Sequence, residues 1–331
     1  MDRAPRRHRP PLDRAAPAGV TATVRVGTCA WVEKGLIADW YPPTATSAEA
    51  RLRVYAEHFD TVEVDASYYA IPAERTTFTW AERTPAGFVF HVKAFGLITG
   101  HRVRPEQLPA DLRPLVSEVT GQGHVVPSAA LEERVLARFA RALRPLADAG
   151  RLGGVLVQLP PSAVPGHAAW ERLDRIRAGL PGHDLMVEFR QRDWLAPDLV
   201  DETLAGLRER GLTYVAVDAP RVATPNVAPT VVAATSGTGY VRFHGRNAAT
   251  WNRRGGGASA RFDHLYADDE LAEWVEPLRA LARSTSRLYA MFNTNADTQG
   301  PDNADRLRQL LAQAGVAVAP AAGPAQRGLF D

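Results

Sequence analysis

The sequence predicts a closed (β/α)8 barrel of the TIM type, in the α/β class. Three observations carry that expectation. Eight short β-rich runs alternate with amphipathic segments. Most of the runs are apolar on both faces, as parallel strands covered by helices must be. And 331 residues suffice for one large domain. The expected boundaries are a basic, Pro-rich tail over 1–22, a single barrel domain over 23–316, and a flexible C-terminal tail over 317–331.

The strands are expected at 23–30, 61–67, 88–95, 153–160, 184–190, 212–218, 239–246 and 287–293. Helix 47–59 has Ser47 as N-cap, with Leu52, Tyr55 and Phe59 at helical spacing. Segment 132–150 ends in a C-cap glycine, and 268–284 and 302–315 carry the same periodicity. The stretch 219–238 holds prolines at 220, 225 and 229, so the barrel is expected to lack the helix between strands six and seven. The long connection from 96 to 152 has room for an extra helix near 105–119.

Composition narrows the function classes. The formal net charge is +2, which gives no bulk electrostatic case for non-specific nucleic-acid binding. No apolar run approaches the roughly 20 residues of a membrane helix, so no membrane is expected. The N-terminal stretch lacks the apolar core of a secretory signal, and the one cysteine, Cys29, permits no internal disulfide and no cysteine-built zinc cage. A cytoplasmic location is the default expectation. No Walker loop, dinucleotide fingerprint or Gly-x-Ser-x-Gly elbow is present.

The informative pattern is at the strand ends. Strand two ends in Glu63 and Asp65, strand three in His91 and Lys93, and strand four in Gln158. Strand five ends in Glu188 and Arg190, strand six in Asp218, strand seven in His244 and Arg246, and strand eight in Asn293. Residues two apart share a strand face. At the C-terminal mouth of a barrel, such a set is aimed into a shared pocket, where these folds build active sites. Any single pair also fits a salt bridge closing the barrel. The number of ionisable groups favours function, because burying so many is costly.

Lys93 and Lys34 are the only lysines in an otherwise Arg-based chain. A compact ammonium at a strand end serves as a phosphate contact, a proton donor or an amine nucleophile. It also fits a plain ion pair with Glu63 or Glu188. His244 is the acid–base candidate, since its ordinary pKa lies near neutrality. Glu63, Asp65, Glu188, Asp218 and His244 together would also suit a divalent metal, although no metal-ligand spacing is visible in sequence. Cys29 reads as a small buried residue. Loops 100–105, 190–194 and 245–262 are rich in arginine, with aromatics at Trp31, Tyr68, Tyr69, Trp194 and Trp251. That pairing suits phosphate or nucleobase recognition.

The motifs VGTCAW, WYPP, YAEHFDTVEVDASYYAIP, TPAGFVFHVKA, LVQLPP, VEFRQRDW, YVRFHGR and FNTNADTQGPDNA, in this order over about 24–315, resemble the domain-of-unknown-function 72 family of YecE-like proteins. The resemblance implies a TIM-barrel variant with no established activity. It points to Glu63, Tyr69, Lys93, Gln158, Glu188, Arg190, Trp194, His244, Gly245, Arg246 and Asn293. Cys29-Ala30 stands where the family often has Ser-Gly, which weakens any role for a hydroxyl there. The tail peptide QRGLF resembles the short motif that docks bacterial proteins on the DNA sliding clamp, through Gln326, Leu329 and Phe330.

The leading expectation is an enzyme. Arg190, Arg246 and Lys93 would hold an anionic, phosphate-bearing or nucleic-acid-derived substrate, with Tyr69, Gln158, Trp194 and Asn293 as further contacts. Glu188 or Glu63 would be the base and His244 the acid of a hydrolase or lyase reaction. No cofactor is required, and a divalent metal is the alternative. A second class is a non-catalytic module binding a nucleotide or a nucleic-acid end and linked to the clamp.

Overall fold

The computed structural model describes residues 21–222, 224–251 and 262–323. Eight strands, each parallel to its neighbours, run in sequence order around a closed barrel. They are β1 Val24–Thr28, β2 Thr61–Val64, β3 Val89–Lys93, β4 Leu152–Gln158, β5 Leu185–Glu188, β6 Thr213–Asp218, β7 Thr238–Phe243 and β8 Arg287–Phe292. β8 pairs with β1 from Val24↔Leu288 to Thr28↔Phe292 and shuts the cylinder.

Pairing is thinnest between β1 and β2, where Thr28↔Val62 is the register pair. Gly27 explains how close the two strands come there. A Cβ on Gly27 would sit 2.3 Å from the Thr61 carbonyl oxygen, a backbone atom that cannot move aside. Gly27→Ala is therefore expected to cost about 2–4 kcal/mol, comparable to severe overpacking. Urea denaturation of the variant checks it, and a loss under about 0.5 kcal/mol would show that the seam opens freely.

Alternation sorts each strand into an inner and an outer row. The inner rows of β4 to β8 supply Leu156, Met186, Val215, Tyr240, Tyr289 and Met291, which fill the barrel together with Cys29. The outer rows pack on the helices in one continuous core. Those helices include α1 Ala48–His58, α2 Glu74–Glu82, α3 Ala129–Asp148, α4 His167–Gly179 and α5 Val200–Glu209. Ser47 caps α1 as expected, its hydroxyl accepting from the Ala50 N–H at 3.0 Å.

No helix is assigned between β6 and β7 among the described residues, in line with the prolines of that stretch. The expected helix near 105–119 does not form. Two single 3-10 turns, Pro105–Gln107 and Arg113–Leu115, stand there instead. Prolines at 105, 109 and 114 remove the donors an α-helix needs. Contacts to the barrel are also made outside 23–316. Ala22 donates to the Ala282 carbonyl at 2.8 Å, and Val318 bridges to Val24 beside β1. Among the described residues no helix is long and apolar enough to cross a membrane.

Candidate active site

An arginine sits at the centre of the barrel mouth. Arg242 lies on the inner row of β7, between Tyr240 and the following His244, and is wholly buried. Its Nη2 reaches Glu63 Oε1 at 2.5 Å and its Nε reaches Glu63 Oε2 at 3.1 Å. Its Nη1 reaches Glu188 Oε2 at 2.6 Å, and Nη2 also lies 3.4 Å from Asp65 Oδ1. Only a planar, multiply donating cation can tie carboxylates from β2 and β5 together in this way. Those carboxylates in turn hold Arg242 well above its ordinary range despite the burial.

Glu188 is the second hub. Besides Arg242 it accepts from Gln158 Nε2 at 2.8 Å and His244 Nε2 at 3.0 Å, with Arg190 Nη1 at 3.3 Å. The register pair Gln158↔Glu188 sets the first of these contacts. Burial opposes the charge of Glu188, but Arg242, His244 and Arg190 outweigh it and hold the carboxyl well below its usual range. His244 Nδ1 lies 2.9 Å from the Asn293 amide nitrogen, which donates to it. The proton of the neutral ring is therefore on Nε2, facing Glu188. Burial, with Arg242 and Arg190 nearby, pushes His244 down to about 4. It is fully buried, with Phe262 stacked on it at 5.3 Å. His244 is thus a neutral, doubly bonded ring under the mouth, which does not suit the acid role expected for it.

A neighbouring pair of carboxyls is shifted in opposite directions. Glu63 accepts from the Tyr240 hydroxyl at 2.8 Å and is hydrogen-bonded to Asp65. Burial and the Asp65 carboxylate push Glu63 up, to about 7. Asp65 goes the other way: Lys93 and Arg242 outweigh its burial and lower it. The two carboxyls are thus shifted apart, Glu63 upward and Asp65 downward. Asp65 is a quarter exposed at its side chain, and Lys93 Nζ stands 3.4 Å from its Oδ1.

Above them opens a cleft of ≈ 720 Å³. Its base holds Asp65, Lys93, Gln158, Arg190 and Asn293, and its wall holds Trp31, Trp80, Tyr68 and Tyr69. Lys93 lies 5.0 Å above the Tyr68 ring. His101 also lines the cleft, pushed down to about 4 by burial and by Lys93. Glu33 lines it as well, raised by burial and by Asp65.

Of the residues expected from sequence, Lys93, Tyr69, Gln158, Arg190 and Asn293 line this cleft, and Glu63, Glu188 and His244 are bonded beneath it. Three others lie elsewhere. Trp194 is buried outside the cleft, stacked on Phe189 at 4.5 Å with its Nε1 donating to the Ala163 carbonyl at 2.6 Å. It is a packing residue of the loop after β5. Asp218 follows the inward-facing Val217 and so belongs to the outer row of β6. There it binds Arg246 Nε at 3.0 Å, and Arg246 also reaches Glu273 at 3.0 Å and covers the Tyr266 ring. Arg246 therefore ties the loop after β7 to the outer helices and does not face the cleft. The central residue missed is Arg242, and the Tyr-x-Arg-x-His alternation in an otherwise apolar strand was its signal; Glu33, Trp80 and His101 of the cleft were passed over as well.

The five-residue metal set is not assembled. Among the described residues no three His, Cys, Asp or Glu side chains are placed to hold an ion. Arg242 stands between the carboxylates, and Asp218 is on the other face. His91, at a strand end in sequence, is held lower in the barrel between Tyr240 and Tyr289. The tail residues Gln326, Leu329 and Phe330 and the triple glycine of the loop after β7 lie outside the described residues.

A parallel eight-stranded barrel with a charged, buried network under a cleft at the C-terminal strand ends defines a TIM-barrel protein with its candidate site in the usual place. The family model described as "Protein of unknown function DUF72" matches residues 25–327, and the chain belongs to that family. It is similar to the UPF0759 protein YunF of Bacillus subtilis, 30% identical over 295 residues covering 87% of this chain and 94% of that one. It also resembles the UPF0759 protein YecE of Escherichia coli, 30% identical over 171 residues, about half of each chain (50% and 52%). Among solved structures, a DUF72 protein of Thermotoga maritima superimposes with a TM-score of 0.69 at 27% identity, over 88% of this chain and 99% of that one. One from Enterococcus faecalis gives 0.73 at 23% identity, over 92% and 100%.

Proposed function

We propose that this chain is an acid–base enzyme acting on a small anionic substrate in the cleft, with the Glu63–Asp65 pair as its proton store. The observation that carries the reading is that pair: one carboxyl is raised to about 7 and sealed under Arg242, and its partner faces the cleft beside Lys93. When the pair is unprotonated, Asp65 takes a proton from substrate or water and passes it to Glu63; when the pair holds its proton, Glu63 returns it through Asp65. A pair poised near neutrality transfers protons in both directions at working pH. That is what hydrolase and lyase reactions require. The acid role passes from His244 to this pair, and Glu188 serves as an ionised anchor that orients Gln158 and Arg190.

Charge favours an anion. The network holds three cations, Arg242, Arg190 and Lys93, against three carboxylates, Glu63, Asp65 and Glu188, with His244 neutral. One proton on the Glu63–Asp65 pair leaves this set one positive charge in excess, which Glu33 at the cleft, raised by burial, offsets only where it is ionised. Phosphate-bearing compounds are the substrate class that this excess and the Lys93 ammonium suit best.

The test is turnover of a panel of phosphomonoesters, phosphodiesters and sugar phosphates, followed by NMR. Asp65→Asn is expected to lower kcat by about 10²–10⁴-fold while substrate still binds. Binding of the anion is expected to strengthen as pH falls through about 7, where the pair takes up its proton. Full activity in Asp65→Asn would sink the assignment. Saturable binding with no turnover of any bound compound would instead support a non-catalytic binding module.

A further inference from the structure

We infer that the ligand of this cleft carries a flat unsaturated ring beside its anionic group, and that the ring packs on Tyr69. This rests on the anionic-substrate reading above. The wall is built for contact with a ring. Trp31 meets Trp80 edge-on at 5.5 Å and 88°, and Trp80 is stacked on Phe90 at 6.1 Å and 16°. Tyr68 is held by Tyr69 at 4.9 Å, by His101 at 5.0 Å and by the Lys93 ammonium. These inner rings are locked by their neighbours, so a ligand orders nothing by touching them.

Tyr69 differs. It lines the cleft, yet it is 57% exposed. A large amphipathic ring left in water at the rim of an aromatic wall gains most when another flat ring covers it. The placement of cationic and amide groups favours a two-ended ligand over a sugar. A sugar needs donors and acceptors around its rim. Here the cations and amides Lys93, Arg190, Gln158 and Asn293 come from the ends of β3, β5, β4 and β8, whereas the four wall rings come from the segments after β1 and β2, with the carboxyls of Glu33 and Asp65 beside them. The two sectors match a ligand with two unlike ends, one charged and one flat.

Calorimetric titration separates the parts. The compounds are inorganic phosphate, ribose 5-phosphate, phenyl phosphate and the nucleoside 5′-monophosphates, with adenosine as the uncharged ring. At least one ring carrier is expected to bind about 10-fold or more tightly than inorganic phosphate, with ribose 5-phosphate no tighter than phosphate. Tyr69→Ala is expected to remove that gain and leave phosphate affinity unchanged. Lys93→Met should weaken phosphate and the ring carriers in the same proportion. Ring carriers no tighter than phosphate, or an equal gain from ribose 5-phosphate, would overturn the inference. So would a Tyr69→Ala variant that keeps the gain. Should no phosphate compound bind, the anionic reading fails by itself. The ring subsite then stands on adenosine binding that is lost in Tyr69→Ala, and falls without it.

Discussion

Arg242→Met is expected to cost this barrel about 3–5 kcal/mol of folding free energy, the range for breaking a buried ion pair from one side. The physical reason is the asymmetry of burial. Arg242, Glu63 and Glu188 are all at 0% exposure. Methionine fills a similar volume, so the main change is charge. Two carboxyl groups are left in a medium that solvates them poorly, with Arg190 beside Glu188 and Lys93 beside Asp65 as the nearby cations. In a chain of this size the loss corresponds to a drop in melting temperature on the order of 10 °C.

Two companion variants make the expectation specific. Arg306 and Asp268 form a bidentate pair of similar geometry, at 2.6 and 2.5 Å, on the protein surface. Arg306→Ala is expected to leave the melting temperature nearly unchanged, because water and salt already screen that pair. The triple variant Arg242→Met, Glu63→Gln, Glu188→Gln is expected to regain most of the loss, since it removes the buried charges along with their partner. A single Arg242→Met variant that melts within a few degrees of the parent would mean that the carboxylates take up protons at little cost. The network would then be no framework for the site.

The sequence made the barrel legible because a parallel sheet writes its burial on both strand faces. Runs such as GGVLVQLP leave little choice of structure. It failed at 105–119, where spacing allowed a helix but Pro105, Pro109 and Pro114 forbade one. In the site, the strand-end rule found Lys93, Gln158, Glu188 and Arg190. It misplaced Asp218 and Arg246, because one residue of strand phase decides between cleft and outer helices. It also passed over Arg242, since an arginine in mid-strand reads as a surface residue until its inward row is known. The opposite charges closing β5 have a plain explanation: Glu188 turns inward to Arg242 and His244, and Arg190, two residues on, reaches the cleft.

His91→Leu is expected to stabilise the protein at neutral pH and to do so increasingly as pH falls. His91 is wholly buried between Tyr240 and Tyr289, at ring distances of 5.0 and 4.2 Å, and neither ring nitrogen has a hydrogen-bond partner. Burial, with Arg287 and Arg25 adding, pushes it down to about 3. Leucine removes two orphaned polar atoms, a gain of about 1–3 kcal/mol. The pH dependence has a definite sign. Above about 6.5 the imidazole is neutral folded and unfolded, and contributes no slope. Below it the unfolded chain binds a proton that the fold refuses until about pH 3. Stability is therefore lost on acidification at about 1.4 kcal/mol per pH unit from this residue.

The quantity to measure is the difference between variant and parent in urea melts from pH 8 to pH 4.5. Subtraction matters, because Glu63 and Asp60, raised to about 7 and about 6, act in the opposite direction as pH falls. The difference should be flat above pH 7 and grow by about 2–3 kcal/mol by pH 4.5. A difference independent of pH would mean that His91 is protonated alike in both states. His244 provides the contrast. Burial lowers it in the same direction, but both of its nitrogens are bonded, to Glu188 and Asn293. His244→Leu is therefore destabilising at neutral pH, where His91→Leu is not. What separates the two histidines is whether the fold supplies each nitrogen with a partner, which the mouth of this barrel does and its lower interior does not.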